Sequence, residues 1–162
     1  MQQSYLTRSA ASEDPRQRVA ASGKPGSRRP CILVISRDAA QRQALRSVCA
    51  ASDWNVSEAR DWRETVLVLS RSGADVILCD DRLADGTWKD VLSVIAPLPE
   101  SPRLIVLFDS ASPAECSEVL NLGGFNVLNK PLNEAEVKLT VAAAWRNLQD
   151  GQTETRRSAM WG

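Results

Sequence analysis

Histidine is absent from all 162 residues. That removes a histidine general base, a Ser-His-Asp or Cys-His nucleophilic site and the commonest zinc ligand together, and with them most hydrolytic chemistry. No apolar run reaches the roughly 20 residues a bilayer-spanning helix needs, and the N-terminus lacks the apolar stretch of a secretory signal. There is no excess of either charge, with 20 basic residues against 20 acidic. Binding to nucleic acid or membrane through bulk charge is therefore not expected. No Cys-x-x-Cys pair occurs. Cys31, Cys49, Cys79 and Cys116 each lie in apolar sequence and read as reduced packing residues of a cytoplasmic protein.

The balanced total hides an uneven distribution. Arg8, Arg16, Arg18, Lys24, Arg28 and Arg29 face only Glu13 and Asp14 near the N-terminus, among Ser, Gly, Pro and Ala. Residues 1–29 read as a disordered basic arm, 30–149 as the folded unit and 150–162 as a flexible tail without helical or strand period. The arm carries no groove-reading element, so no nucleic-acid partner is expected.

Within the folded unit, short apolar runs alternate with amphipathic stretches. The strand-like runs are Cys31–Ile35, a weaker one at Trp54–Ser57, Asp75–Asp80, Leu104–Phe108 and Phe125–Leu128. Between them lie helix starts of the capping-box type at Asp38 with Gln41, at Asp61 with Glu64 and at Ser112-Pro113-Ala114-Glu115. A turn at Asp85-Gly86 precedes a helix over Thr87–Ile95, and Asn133 caps a last helix with Val137, Val141, Ala144, Trp145 and Leu148 inward. Strands apolar throughout must be covered on both faces. The expectation is an α/β fold: a five-stranded parallel sheet, doubly wound by right-handed crossovers.

In such sheets the site lies at the carboxyl ends of the strands. That directs attention to Ser36, Arg37 and Asp38, to Asp80 and Asp81, to Leu107–Ser110, and to Asn129, Lys130 and Pro131. An aspartate facing a lysine across a shallow cleft can hold a metal, form a static ion pair or accept a phosphoryl group as nucleophile. Spacing alone leaves these three open.

The run Asp75-Val76-Ile77-Leu78-Cys79-Asp80 resembles the phosphoacceptor strand of bacterial response-regulator receiver domains (CheY-like). Gly123 to Leu132, with its Lys130-Pro131 turn, is similar to that family's final strand. The resemblance covers about residues 31–148. It implies flavodoxin-like strand order 2-1-3-4-5, Asp80 as phosphoacceptor, Lys130 as the phosphate-contacting lysine, and a histidine kinase or a downstream effector as protein partner. It also implies a signalling module of a two-component phosphorelay rather than an enzyme.

Departures from the family pattern are equally specific. Where the family has two adjacent acids that hold Mg2+, this chain has Ser36 and Arg37. Asp38 comes one place later; with Asp80 it offers at most a weak metal site, and its simpler role is a helix N-cap with Gln41 as reciprocal partner. The switch hydroxyl falls on Leu107 and the switch aromatic on Val127, leaving Ser110 only if the strand end is displaced. Arg37 is the candidate cation substitute beside Asp80. The expectation is a stand-alone, divergent receiver (a pseudo-receiver) that holds one conformation and acts by docking, the chain beyond the last helix being too short for a DNA-binding output domain. The alternative is a phosphorylation-competent receiver that takes phosphate on Asp80. A remote alternative is a small flavodoxin-like flavin- or nucleotide-binding protein, but the turn after the first strand has no glycine to let a phosphate approach the backbone. Trp145 reads as core packing; Trp88 reads equally as core or as docking anchor. The oligomeric state is left open.

Overall fold

The computed structural model describes residues 28–161. Of the expected arm, residues 1–27 lie outside the described residues. Arg28 and Arg29 do not: Arg28 is bonded to Asp75 at 3.1 and 3.2 Å, and Arg29 pairs with Asp53 at 3.2 Å.

The elements run β1 (Cys31–Ile35), α1 (Ala39–Ala51), β2 (Asn55–Ala59), α2 (Trp62–Arg71), β3 (Val76–Asp80), β4 (Arg82–Leu83), β5 (Gly86–Thr87), α3 (Trp88–Ile95), β6 (Arg103–Phe108), α4 (Pro113–Leu122), β7 (Asn126–Asn129) and α5 (Glu134–Trp161). Five strands form one parallel sheet in the order β2-β1-β3-β6-β7. Setting aside the two-residue strands β4 and β5, this is the expected 2-1-3-4-5 order of a doubly wound sheet.

Strand alternation divides the core between the two faces. Leu33, Ile35, Ile77, Cys79, Leu104, Val106 and Phe108 pack with Trp88, Val91, Leu92, Ile95 and Val119, the α3 and α4 side. Ile32, Val34, Val76, Leu78, Ile105 and Leu107 pack with Leu45 and Cys49 of α1 and with Val137, Val141 and Ala144 of α5. Both faces are apolar because both are covered. By the same alternation Asp80 shares the parity of Val76 and Leu78, so it belongs to the α1 and α5 side. The sheet thus aims its terminal carboxylate at α1.

Two expectations change. The Asp85-Gly86 turn is the tip of a small antiparallel hairpin, β4 with β5. Asp85 Oδ1 there accepts the Trp62 backbone N–H at 2.8 Å, tying the hairpin to the start of α2. The last helix does not stop near residue 149 but continues to Trp161, 28 residues in all, or about 42 Å. Gly151 lies inside it. Its missing Cβ leaves room for Arg103, whose Nη2 would stand 3.2 Å from such an atom, while Arg103 Nε donates to Asn147 Oδ1 at 2.7 Å one turn earlier. A guanidinium thus crosses the helix at Asn147 and Gly151. Trp88 is 5% exposed and packs in the core, so it is not an exposed docking anchor. Among the described residues, no helix is long and apolar enough to cross a membrane.

Candidate functional site

Asp80 ends β3 with its side chain 8% exposed, and Lys130 Nζ lies 2.9 Å from Asp80 Oδ1. A buried carboxylate requires a cationic or hydrogen-bonding partner, and this one has both. Gln41 Nε2 donates to the same Oδ1 at 2.6 Å. Lys130 follows β7, and its backbone N–H donates to the Phe108 carbonyl at 2.8 Å, which carries the pairing of β6 and β7 past the strand end. Its Nζ also stands 3.8 Å from the exposed Asp109. The sequence-predicted pair, Asp80 with Lys130, is therefore brought together.

The end of β1 is built around Ser36, which is fully buried. Ser36 Oγ accepts the Asp38 backbone N–H at 3.1 Å and Gln41 Nε2 at 3.3 Å. Its carbonyl accepts Arg42 Nη1 at 2.6 Å, and Arg42 Nε is 3.5 Å from Glu58 on β2. The first turn of α1 is thus fastened to the strand it follows by two successive side chains, Gln41 and Arg42.

The structure does not bring Arg37 to Asp80. It is exposed, and among the described residues no ion pair or hydrogen bond joins it to Asp80. Asp38 caps α1, its carboxylate accepting the Ala40 N–H at 3.0 Å. It lacks the expected reciprocal bond from Gln41, because that side chain is turned to Asp80 and Ser36. Gln41 is the site residue the motif reading missed.

The receiver resemblance implies Mg2+, which takes near-octahedral oxygen ligands including one or two carboxylates. The groups meeting Asp80 Oδ1 are nitrogen donors, Asp38 is used as a cap, and among the described residues no group of three or more His, Cys, Asp or Glu could hold a metal ion. The residues present do not fit that ion.

The switch positions are filled by packing. Leu107, opposite Asp80 in the β3–β6 register, is fully buried; Phe108 is 5% exposed beside Leu83 and Trp88. Val127 packs half-buried against the same cluster. Ser110 is exposed. Cys79, next to Asp80, has its thiol pushed well above its usual range by burial and then by the Asp80 and Asp81 charges. It is a packing residue, not a nucleophile.

A family model described as the response regulator receiver domain matches residues 32–142. The chain is similar to the aerobic respiration control protein ArcA of Escherichia coli K12, 29% identical over 121 residues, covering 74% of this chain and 48% of that protein. It is also similar to the regulatory protein VirG of Rhizobium rhizogenes, 25% identical over 128 residues, covering 78% of this chain and 53% of that protein. The chain thus spans about half the length of these relatives. Among solved structures, the signal receiver domain of a putative LuxO repressor protein from Vibrio parahaemolyticus superposes with TM-score 0.72 at 19% identity, covering 77% of this chain and 96% of that one. The chemotaxis response regulator CheY4 of Vibrio cholerae gives TM-score 0.66 at 19% identity, covering 72% and 98%.

Proposed function

The chain belongs to the response regulator receiver domain family, the signalling domain of two-component systems, and from that premise we propose that it is an atypical receiver acting by protein docking in one held conformation. It is not a turnover enzyme, and its signal does not depend on phosphorylation of Asp80. The observation carrying this reading is the engagement of Asp80 Oδ1 by the Gln41 amide at 2.6 Å. The family's acid pair is replaced by Ser36 and Arg37, and its switch hydroxyl by Leu107. With these replacements the crevice lacks the hydroxyl whose movement would report a phosphoryl group.

The partner is a protein of a two-component pathway, a histidine kinase or a downstream effector. The face of α4, β7 and α5 is the docking surface, by analogy with the family. Leu120 and Leu122 on α4 are each 53% exposed and Leu139 on α5 is 73% exposed, which leaves large apolar side chains there for a partner to cover. Family membership replaces the flavin- or nucleotide-binding alternative.

A second reading, a competent phosphoacceptor, is favoured by one observation: the Asp80–Lys130 pair is retained. Intact mass after incubation with acetyl phosphate and Mg2+ separates the two. The expected result is an unchanged mass. A stable gain of one phosphoryl group, absent from Asp80→Asn, overturns the docking reading and establishes the second.

A further inference from the structure

Gln41 Nε2 bridges the ends of two strands, 2.6 Å from Asp80 Oδ1 and 3.3 Å from Ser36 Oγ. Asp80 and Ser36 stand at positions that the receiver resemblance gives to Mg2+ ligands. We infer that the Gln41 carboxamide occupies the cation's place and performs its structural task, holding Asp80 against the end of β1 so that the crevice is complete without metal. Gln41 is a positioning residue, acting through Asp80. The inference rests on the receiver assignment but not on whether Asp80 accepts a phosphoryl group.

Three observations carry it. The amide presents the positive ends of its N–H bonds to the carboxylate, as a cation would, but adds no net charge. Lys130 supplies the full positive charge that faces Asp80. The amide is also held firmly: Gln41 lies four and eight residues before Leu45 and Cys49, both buried on the same stripe of α1. Arg42 adds a second tie to Ser36 at 2.6 Å. A cation entering beside Asp80 would have to displace a donor anchored by a packed helix, and would meet the repelling end of its dipole.

The replacement Gln41→Glu keeps the side-chain reach and exchanges N–H donors for oxygen acceptors. Two carboxylates then share the single Lys130 ammonium, leaving one negative charge that a cation or a shared proton must offset. Thermal melting of the whole chain is compared in chelator and in millimolar Mg2+, at matched ionic strength. The wild type is expected to melt at the same temperature in both. Gln41→Glu should melt lower in chelator and gain about 5 °C with Mg2+. Gln41→Met, equal in length but without charge or donors, should melt lower and gain nothing. A wild type stabilised by Mg2+ as strongly as Gln41→Glu overturns the inference, and so does a folded Gln41→Glu that ignores Mg2+.

If Gln41→Glu does not fold, a Mn2+ titration read by electron paramagnetic resonance serves instead. The free-ion signal should persist with wild type and fall with Gln41→Asp, whose shorter side chain leaves the place open and adds the second carboxylate that a divalent ion needs. Binding by the wild type, or by neither protein, overturns the inference. A phosphoryl mass gain would overturn the docking proposal alone, because the cation response is read without any phosphodonor.

Discussion

The Arg28 guanidinium lies 4.7 Å from the centroid of the Trp145 ring while donating two hydrogen bonds to Asp75, at 3.1 and 3.2 Å. One side chain thereby joins the chain entering β1, the residue preceding β3 and the middle of α5. Asp75 also accepts the Cys31 N–H at 2.8 Å, so its carboxylate organises the N-terminal edge of the sheet. Arg28→Ala is expected to cost about 1–2 kcal/mol, from a bidentate charged contact and a cation–π contact on a partly exposed group. Arg28→Lys keeps the charge without the fork and should recover less than half of the loss. Urea denaturation of the three proteins checks the order; equal midpoints would show that the clasp contributes nothing.

Removing Lys130 tests the opposite edge of the sheet. Lys130→Ala strips the cation from a carboxylate 8% exposed, which should cost about 2–3 kcal/mol. Asp80→Asn in the Lys130→Ala background should restore most of it, since a neutral amide no longer needs the ammonium. The coupling is read from a double-mutant cycle of denaturation free energies. An additive pair of losses would mean that the ion pair is not the source of the effect.

The fold was legible because its determinants are local and repeated. Runs such as Cys31–Ile35 and Val76–Cys79 are apolar at every position, and Ser112, Thr87 and Asn133 announce helix starts through their own side chains. The pairing of Asp80 with Lys130 followed from strand ends meeting in one crevice. Gln41 was misread because a glutamine three residues after an N-cap aspartate has a sufficient local explanation. What decided its orientation was non-local: the parity that turns Asp80 toward α1. The stripe of Gln41, Leu45 and Cys49 at four-residue spacing was the available signal, since it places an amide at the end of a buried row. The end of α5 is hidden for a different reason. Residues 153–161 are exposed, so no apolar period marks them as helix in the sequence.

Cys49 predicts a pH dependence. Burial against the sheet pushes its thiol up from 9.0 to about 11. The folded state therefore keeps the proton over a range in which the unfolded chain releases it, and stability falls as pH rises between those values. The loss should approach roughly 2–3 kcal/mol by the top of that window, at about 1.4 kcal/mol per pH unit. Cys49→Ala pays a cavity cost at neutral pH but should have a shallower slope from pH 9 to 11. Denaturation at several pH values measures both slopes, and equal slopes would refute the assignment. Native thiol labelling should leave Cys49 and Cys79 unreacted while the half-buried Cys116 reacts.

Glycines at two turns should differ in what a methyl group costs. At Gly124 an added Cβ would stand 2.5 Å from Val119 Cγ1 and 2.9 Å from the Val119 carbonyl oxygen. That carbonyl already accepts the Gly124 N–H at 2.8 Å, and the next residue, Phe125, donates to Leu104 at 2.7 Å as the chain enters β7. Relief therefore requires moving backbone that sets the β6–β7 register, and Gly124→Ala should cost about 2–3 kcal/mol. At Gly86 the closest atom is Asp90 Oδ2, 2.6 Å away, the end of a side chain that can rotate. Its rotation gives up the bond from the Thr87 N–H that completes the α3 capping box, a loss of about 1 kcal/mol. Asp90→Ala alone should therefore match Gly86→Ala, and the double variant should cost no more than either. Denaturation midpoints decide it: Gly86→Ala more damaging than Gly124→Ala, or additive with Asp90→Ala, would contradict the account.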